Sequence, residues 1–300
     1  MTPQPAQLEA LVAIADQGSF EAAAKSLHVT ASAVSQRIRA LETMAGQVLV
    51  SRTTPCRPTA AGAAYVRLGR QTRLLYDEAR LAVDDADHPD VVVSLTVAVN
   101  ADSLATWFRD VLSVVAGWDG VALRLRVEDQ AWSADLLRSG EVLAAVTSDP
   151  TPVQGCAVEP LGVLRYGAAA SPEYVERWRR GRGMDWERMP VVVFNEKDEL
   201  QHQVLARRGV TARVEHQVPT STDFHEAVRR GLGWCTLPEP QLLPDLEAGR
   251  LVRLPGREQD HRVDVPLFWQ RWRLDSPALA RLTESVHTAA RAHLRRPVAN

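Results

Sequence analysis

Amphipathic stripes near the N-terminus predict a small bundle of helices. Residues 5–17 and 20–27 both repeat apolar side chains at the i, i+3, i+4, i+7 spacing of one helix face. Gly18 ends the first helix, and Ser19 can cap the second. The two stripes consist of Leu8, Leu11, Val12 and Ala15, and of Phe20, Ala23, Ala24 and Leu27. The pattern therefore predicts two short helices joined by a tight turn.

A third helix, over about residues 31–43 and capped by Thr30, has two distinct faces. Val34, Ile38 and Leu41 fall on one face, which we expect to enter the core. The opposite face carries Ser32, Ser35, Gln36 and Arg39. Hydroxyl, amide and guanidinium groups on a short helix match the base edges of a DNA major groove. The alternative is a solvated polar face on a three-helix bundle.

The residues that follow favour DNA binding. Residues 48–50 predict a strand, and residues 51–59 place Arg52 and Arg57 among turn-forming residues, where they can hold phosphates beside the groove. Residues 1–59 contain five basic and four acidic side chains, so the argument depends on where the charges lie and not on their sum. The candidate DNA-binding residues are Ser19, Thr30, Ala31, Ser32, Ser35, Gln36, Arg39, Arg52, Arg57 and Thr59.

A long helix follows, over about residues 60–86, and carries a narrow apolar seam. The seam residues are Tyr65, Leu68, Thr72, Leu75, Ala79 and Ala82, spaced alternately three and four apart. This is the a/d spacing of a short coiled coil, and charged residues flank it, so we expect the seam to pair two copies of the chain. The alternative is that it docks onto the chain's own body. Residues 84–90, rich in aspartate, predict a hinge.

Beyond the hinge the pattern changes to alternating strands and helices. Strands are expected at 91–99, 121–127, 142–147, 161–169, 191–194, 213–218, 234–237, 251–254 and 263–269. Helices are expected at 103–115, 132–139, 173–180, 198–208, 223–231, 239–248 and 276–295. This alternation predicts an α/β region with mostly parallel sheets, and its length favours two lobes over one sheet.

The predicted fold class is therefore multi-domain. An all-α-rich winged helix-turn-helix occupies residues 1–59, and a linker helix with its hinge occupies 60–89. The α/β region occupies residues 90–300. Its lobe I covers about 90–162 and 268–300, and its lobe II covers about 163–267.

Composition narrows the class of protein. The chain has 300 residues, 45% hydrophobic content and a net charge of −2, as ordinary soluble domains do. Cys56, Cys156 and Cys235 are too far apart for a metal motif or a disulfide framework. The sequence shows no signal peptide, no apolar run of about 20 residues and no Gly-rich phosphate loop or nucleophile elbow. We therefore expect no cofactor, no metal, no membrane and no enzyme activity.

Several stretches resemble the LysR-type transcriptional regulators. Residues 18–24 (GSFEAAA), 32–38 (SAVSQRI) and 57–62 (RPTAAG) match the N-terminal domain of that family. The resemblance extends through the chain and is nearest the LysG/ArgP branch, which senses basic amino acids and controls their export. Residues 98–107 (AVNADSLATW) are similar to that branch. One departure is Ala31, where many relatives carry a glutamine, so base readout by that glutamine is not expected here.

The resemblance implies an overall organisation and a set of partners. It implies a periplasmic-binding-protein-like effector domain of two lobes, in a cytoplasmic homo-oligomer that is either a homodimer or a tetramer built as a dimer of dimers. The implied partners are double-stranded operator DNA, RNA polymerase and a small effector, lysine or arginine. The implied role is control of an amino acid exporter gene.

Polar residues at the predicted strand ends are candidate contacts for such an effector. In open α/β sheets, ligands bind beyond the carboxyl ends of the strands. A basic amino acid requires donors for its carboxylate and acids for its two positive charges. The candidate effector-binding residues are Asn100, Asp102, Ser103, Glu128, Asp129, Asp198, Ser221, Thr222 and Asp223. Each can instead be a helix cap or a solvated surface group.

Other functions remain as alternatives at this point. The chain can be a LysR-type regulator of a different metabolite, or a non-regulatory solute-binding protein. The N-terminal DNA-reading pattern argues against the second. A DNA binder without sequence preference is disfavoured by the nearly neutral residues 1–59, because such binding depends on phosphate neutralisation.

Overall fold

The computed structural model describes residues 2–83, 92–127 and 130–296. The chain divides into two compact units. The first contains residues 1–99, 114–159 and 269–285, and the second contains residues 100–113, 160–268 and 286–300. The predicted hinge at 84–90 lies outside the described residues. The boundaries of the three domains and two lobes expected from the sequence stay a prediction.

The first unit begins with a helical head. Its elements are α1 (Pro5–Gln17), α2 (Phe20–Ser26), α3 (Ala31–Ala45), β1 (Val50–Ser51) and β2 (Arg57–Pro58). Ser19 accepts a hydrogen bond from the backbone N–H of Ala22, and Thr30 accepts one from that of Ala33, so both hydroxyls cap the helices that follow. The strands β1 and β2 pair antiparallel and form the wing.

The long helix α4 (Ala60–Val83) packs closely against the head. Its buried face carries Gly62, Val66, Gly69 and Leu74. A Cβ on Gly62 would lie 1.9 Å from the carbonyl oxygen of Leu49, so only glycine fits this approach of two backbones.

The remaining elements alternate between helices and strands. In chain order they are β3 (Val93–Val99), α5 (Ala101–Ala105), α6 (Arg109–Val115), β4 (Val121–Val127), α7 (Gln130–Ser139), β5 (Ala144–Thr147), β6 (Cys156–Ala170), α8 (Pro172–Trp178), β7 (Arg179–Arg180), β8 (Gly183–Met184), β9 (Val191–Val193), α9 (Leu200–Ala206), β10 (Glu215–Gln217), α10 (Ser221–Arg229), β11 (Cys235–Pro238), α11 (Glu239–Glu247), β12 (Val252–Arg253), α12 (Glu258–His261), β13 (Arg262–Trp272) and α13 (Pro277–His293). The long strands β6 and β13 contribute residues to both units.

The sheets are mixed, whereas the sequence predicted mostly parallel ones. In the first unit, β3 pairs parallel with β4 and with β5, as expected. In the second unit, β9 and β10 are parallel, but β11 and β12 both run antiparallel to the long strand β6. The expectation failed because alternation of strands and helices indicates crossovers but does not fix the direction in which a strand returns beside a long neighbour.

The predicted helix at 103–115 is in fact two helices, α5 and α6. The break falls at Thr106, whose backbone leaves the helical region and whose hydroxyl donates to the carbonyl oxygen of Asp102 at 2.6 Å. The turn buries Trp107 and Phe108, which follow it directly. Burial of two large aromatic side chains offsets the interrupted helix, and this is a tertiary effect that periodicity does not reveal.

A buried carboxylate in the second unit joins α10 to α11. Asp245 on α11 accepts hydrogen bonds from Arg229 on α10 at 2.7 and 2.8 Å, and from Arg250 at 2.6 Å. Burial alone would raise the pKa of the Asp245 carboxyl, but its hydrogen bonds with these two arginines lower that pKa to about 2. The arrangement fixes α10, whose first turn carries three of the candidate effector residues.

Candidate nucleic-acid interface and ligand site

The structure places the two predicted faces of α3 as the sequence indicated. Val34, Ile38 and Leu41 are fully buried in the head. Ser32, Gln36 and Arg39 are exposed, and Ser35 is half-buried. Because the apolar face anchors the helix, its polar face is free to enter a groove of about its own width, as a recognition helix does.

The wing lies next to the turn between α1 and α2. The backbone N–H of Cys56 donates to the carbonyl oxygen of Gly18 at 2.7 Å, which ties the wing to that turn. Arg52 and Arg57 are exposed, and the guanidinium of Arg52 lies 5.5 Å from the ring centroid of Phe20. Both arginines are therefore held at the surface of the head, where phosphates can reach them.

Three of the candidate hydroxyls have structural roles as well. Ser19 and Thr30 are helix caps. The hydroxyl of Thr59 donates to the carbonyl oxygen of Val48 at 2.8 Å and accepts from the N–H of Gly62 at 3.0 Å. Ala31, half-buried at the start of α3, offers no polar side-chain atom. Contact between any of these four residues and DNA stays a prediction.

The seam on α4 is largely uncovered. Leu68 and Leu75 are 41% and 40% exposed, which is high for leucine. Thr72, Ala79 and Ala82 are exposed as well, whereas Tyr65 is half-buried against the head. The helix docks onto the chain's own body through a different face, so docking and dimerisation need not compete for the same residues.

A pair of acidic side chains lies inside the second unit. The hydroxyl of Tyr166, itself buried on β6, donates to Oδ2 of Asp102 at 2.8 Å. The pKa of the Asp102 carboxyl is raised to about 6, and burial is the largest cause. The hydrogen bond from Tyr166 lowers this pKa, and the charge of Asp198 raises it. A carboxyl group whose charged neighbour is another acid is suited to bind a cation.

Asp198 is held firmly by its own hydrogen bonds. Its carboxylate accepts from the N–H of Phe194 at 2.9 Å and from the side-chain amide of Gln201 at 2.9 Å. Burial nevertheless raises the pKa of this carboxyl above its usual value, more than the hydrogen bonds lower it. Gln201 is fully buried and also accepts a hydrogen bond from Thr236 at 3.3 Å.

Two buried polar atoms beside Asp102 have no hydrogen-bond partner among the described residues. The Oδ1 atom of Asn100 accepts from the N–H of Ser103 at 2.7 Å, but the Nδ2 atom of Asn100 and the Oγ atom of Ser103 are both left unpaired there. Leaving a buried polar group unpaired costs about 1–3 kcal/mol. These two atoms are therefore candidate partners for a polar ligand.

The first turn of α10 contributes less than the sequence suggested. Helices α5 and α10 are in contact, so Ser221 and Thr222 belong to a helix that packs against the one carrying Asp102. Asp223, however, is exposed and accepts a hydrogen bond from the hydroxyl of Thr220, which caps the same helix. The candidates Glu128 and Asp129 lie outside the described residues.

The sequence interpretation missed Tyr166 and Gln201. Both are polar residues within buried elements, and both act through their partners, Asp102 and Asp198. Tyr166 falls inside a long run of strand residues, where a tyrosine is common, so no local signal identified it.

Membrane spans and metal clusters are absent from the described part of the chain. Across residues 2–83, 92–127 and 130–296, no helix is long and apolar enough to cross a membrane. Over the same ranges, no three His, Cys, Asp or Glu side chains are grouped so as to hold a metal ion.

Comparison with protein-family models matches both parts of the chain. Residues 5–63 match the model described as bacterial regulatory helix-turn-helix protein, lysR family. Residues 90–291 match the model described as LysR substrate binding domain.

Curated and solved relatives cover nearly the whole chain. The lysine export transcriptional regulatory protein LysG of Corynebacterium efficiens is 49% identical over 294 residues, which span 97% of this chain and 99% of that protein. The crystal structure of ArgP from Mycobacterium tuberculosis has a TM-score of 0.86 and 43% identity, with 99% of this chain and 100% of that chain covered. The structure of full-length LysG from Corynebacterium glutamicum with bound effector Arg has a TM-score of 0.80 and 44% identity, with 97% and 99% covered.

Proposed function

Because the chain belongs to the LysR family of bacterial helix-turn-helix regulators, we propose that it controls an amino acid exporter gene by binding operator DNA in response to a basic amino acid. Of the relatives described above, the Corynebacterium efficiens protein is named for lysine export and the Mycobacterium tuberculosis protein is ArgP. The Corynebacterium glutamicum LysG structure has the effector Arg bound. This supports regulation, not catalysis, as the role of the chain. We further propose that it acts in the cytoplasm and contacts RNA polymerase.

DNA binding is assigned to the head. The exposed polar face of α3 would enter the major groove, with Gln36 and Arg39 reading base edges. Arg52 and Arg57 on the wing would hold phosphates on either side. The seam on α4 would pair two heads, so that a homodimer, or a tetramer of two such dimers, binds half-sites separated by whole turns of DNA.

The observation that carries the sensing assignment is the acidic pair of Asp102 and Asp198. Burial is the largest influence on both carboxyl groups, and it raises the pKa of each. A guanidinium or ammonium group bound between or beside them would stabilise both charges. Asn100 and Ser103 would supply their unpaired donors to the carboxylate of the same amino acid.

A thermal-shift screen against arginine, lysine and the uncharged analogue citrulline tests this assignment. We expect arginine or lysine to raise the melting temperature of the full chain and citrulline to do so much less. Asp102→Asn should weaken binding of the active amino acid about 10- to 100-fold, because a buried charge-assisted contact is lost. Asp119→Asn, which changes an exposed aspartate, is the matched control and should bind as the wild type does.

The same proteins should then be tested on operator DNA and in transcription. If neither amino acid changes the melting temperature, the affinity for DNA or the amount of transcript, the proposed sensing role is wrong. If Asp102→Asn binds arginine as tightly as the wild type, the role of the acidic pair is wrong. If another metabolite gives the shift, the chain is a LysR-type regulator with a different effector.

A further inference from the structure

We infer that Arg70 is a positioning residue that passes movements of the ligand-binding region to the DNA-reading head, by joining α7 to α1 through α4. The inference rests on the proposed function, since it concerns how that function is coupled. All three helices belong to the first unit.

Arg70 contacts both sides of a junction. Its Nη2 atom forms an ion pair with Asp16, near the end of α1 in the head. Its Nη1 atom donates to the carbonyl oxygen of Ser139, the last residue of α7, at 3.1 Å. The side chain of Arg70 is only 17% exposed. Asp16 is 48% exposed, so solvent partly screens the ion pair, but the guanidinium itself is largely buried and has partners on two elements.

Arg67 makes a second contact of the same kind, one turn earlier on α4. It donates to the carbonyl oxygen of Arg138 at 3.2 Å, and its guanidinium lies 4.8 Å from the ring centroid of Trp272. The last carbonyl groups of a helix lack partners within the helix and attract cations. The two arginines of α4 therefore hold the carboxyl end of α7.

The other end of α7 comes shortly after a strand of the first unit. It begins at Gln130, shortly after β4 ends at Val127. The strands β3 and β4 are parallel, and ligands of such sheets bind at their carboxyl ends. A helix that starts near the carboxyl end of β4 and is held at its own carboxyl end by arginines of α4 can pass a displacement of that strand end to α4.

The junction borders an open groove and is not close-packed throughout. Beside Arg70 lies an open groove of about 890 Å³, lined by parts of α1, α4, β3 and β4. Its polar lining includes Asp16, Arg70, Arg73, Asp77, Arg124 and Arg126. Polar contacts around an open groove allow small rearrangements that a close-packed apolar interface would resist.

The path from Arg70 to the DNA-reading face is short. Asp16 lies near the carboxyl end of α1, and α1 packs directly against α3. A second anchor holds the later part of α4, where the carboxylate of Glu78 accepts from the hydroxyl of Ser276 at 2.7 Å and from the N–H of Ala278 at 2.9 Å. With the later part of α4 fixed, a shift of α7 changes the position of α1 through Arg70.

The test compares Arg70→Met with Arg73→Met in the full chain. Arg73 is on the same helix and lines the same groove, but it is 73% exposed and its partner Asp77 is 3.8 Å away. The measurement is the operator dissociation constant with and without saturating arginine or lysine, together with the affinity of the amino acid by calorimetry. Coupling between sites is typically about 5- to 150-fold.

We expect Arg70→Met to bring the ratio of the two operator dissociation constants close to one, while the affinity for the amino acid stays within about twofold. Arg73→Met should keep the wild-type ratio. Asp16→Asn should lose the ratio as well, and the double variant should lose no more than either single variant, because both changes break the same link. A purely structural role would lower the melting temperature without removing the ratio.

Three outcomes would overturn the inference. A wild-type ratio in Arg70→Met and in Asp16→Asn would overturn it while leaving the proposed function intact. Loss of the ratio only in step with loss of affinity for the amino acid would also overturn it. A wild-type protein that does not respond to any basic amino acid would overturn the inference and the proposed function together.

Discussion

Some polar side chains of the head make hydrogen bonds within the fold, and others project from its surface. In the head, Ser19, Thr30 and Thr59 use their hydroxyl groups for helix caps and turns, whereas Gln36 and Arg39 project from the surface. Projecting groups are available for bases or phosphates, and capping groups are available only through their remaining lone pairs. Arg39 projects from α3 and Arg52 from the wing, so we expect Arg39 to contact base edges and Arg52 to contact phosphates.

Arg39→Ala should weaken binding to the operator more than binding to random DNA, because Arg39 projects from the predicted reading face of α3. The expected loss on the operator is about 1–3 kcal/mol. Arg52→Ala, which changes a wing residue, should weaken binding to both DNAs alike and reduce the dependence on salt. Gel-shift titrations at several salt concentrations would measure both effects. Equal losses for Arg39→Ala on the two DNAs would remove Arg39 from base readout.

Binding of the basic amino acid should depend on pH through Asp102. The carboxyl group has a raised pKa of about 6 before the ligand binds, chiefly because it is buried. A bound cation favours the ionised form, so affinity should be full above that pKa and should fall as the pH drops below it. The fall should approach about tenfold per pH unit.

Calorimetry of arginine binding from about one pH unit below the pKa of Asp102 to two units above it would measure this dependence. Asp102→Asn, which cannot ionise, should remove most of the change; the remainder would come from Asp198, whose carboxyl pKa is also raised by burial. A wild-type profile that stays flat, or that rises as the pH falls, would contradict the assignment of Asp102 to the cation.

At the scale of elements, periodicity located the helices and strands but not their partners. The predicted ends of α1 coincide with the observed ones, and those of α2, α3 and α13 lie within two residues of them. The split between α5 and α6 and the antiparallel pairing of β11 with β6 were not predicted. Both depend on contacts between residues distant in sequence, which a local pattern does not contain.

Gly62→Ala should test how closely α4 must approach the head. The new Cβ would lie 1.9 Å from the carbonyl oxygen of Leu49, and a backbone atom cannot move aside as a flexible side chain can. We expect a loss of about 1–3 kcal/mol or more in the free energy of unfolding, and weaker operator binding. Circular dichroism during urea unfolding would measure the loss.

Gly117→Ala is the matched control for that variant. Its nearest neighbour would be the carbonyl oxygen of Val114 at 3.7 Å, an ordinary contact. The free energy of unfolding should change by no more than about 0.5 kcal/mol. If the two alanine variants are equally stable, the close approach at Gly62 is not needed for the fold.

At the scale of the whole molecule, the exposed seam on α4 bears on how copies of the chain combine. The match over both parts of the chain confirms the family that the sequence motifs indicated. Leu68 and Leu75 lie on the seam that was predicted to pair two copies, and in a single chain they are apolar side chains in water. Covering them would bury apolar surface, which stabilises an assembly.

Leu75→Lys should therefore weaken the homo-oligomer. Loss of one buried leucine contributes about 1.5–3 kcal/mol, and the two introduced lysines would face each other across a symmetric seam. We expect a dissociation constant at least about tenfold higher by analytical ultracentrifugation. Val214→Lys changes a similarly exposed apolar residue of the second unit and should leave the oligomer unchanged. If Leu75→Lys forms an oligomer as stable as that of the wild type, the dimer interface lies elsewhere.

The sequence by itself determined the family, the order of the elements and the two faces of α3. The elements and the two faces of α3 repeat with the period of a helix or a strand, and the family is indicated by its resemblance in short motifs, so residues near each other in sequence are enough for all three. Only the tertiary structure decided that Tyr166 supports Asp102, that Asn100 and Ser103 keep unpaired atoms, and that Arg70 joins Asp16 to α7. Hydrogen bonds and burial that involve residues far apart in sequence depend on how the chain returns on itself, and no local pattern records that.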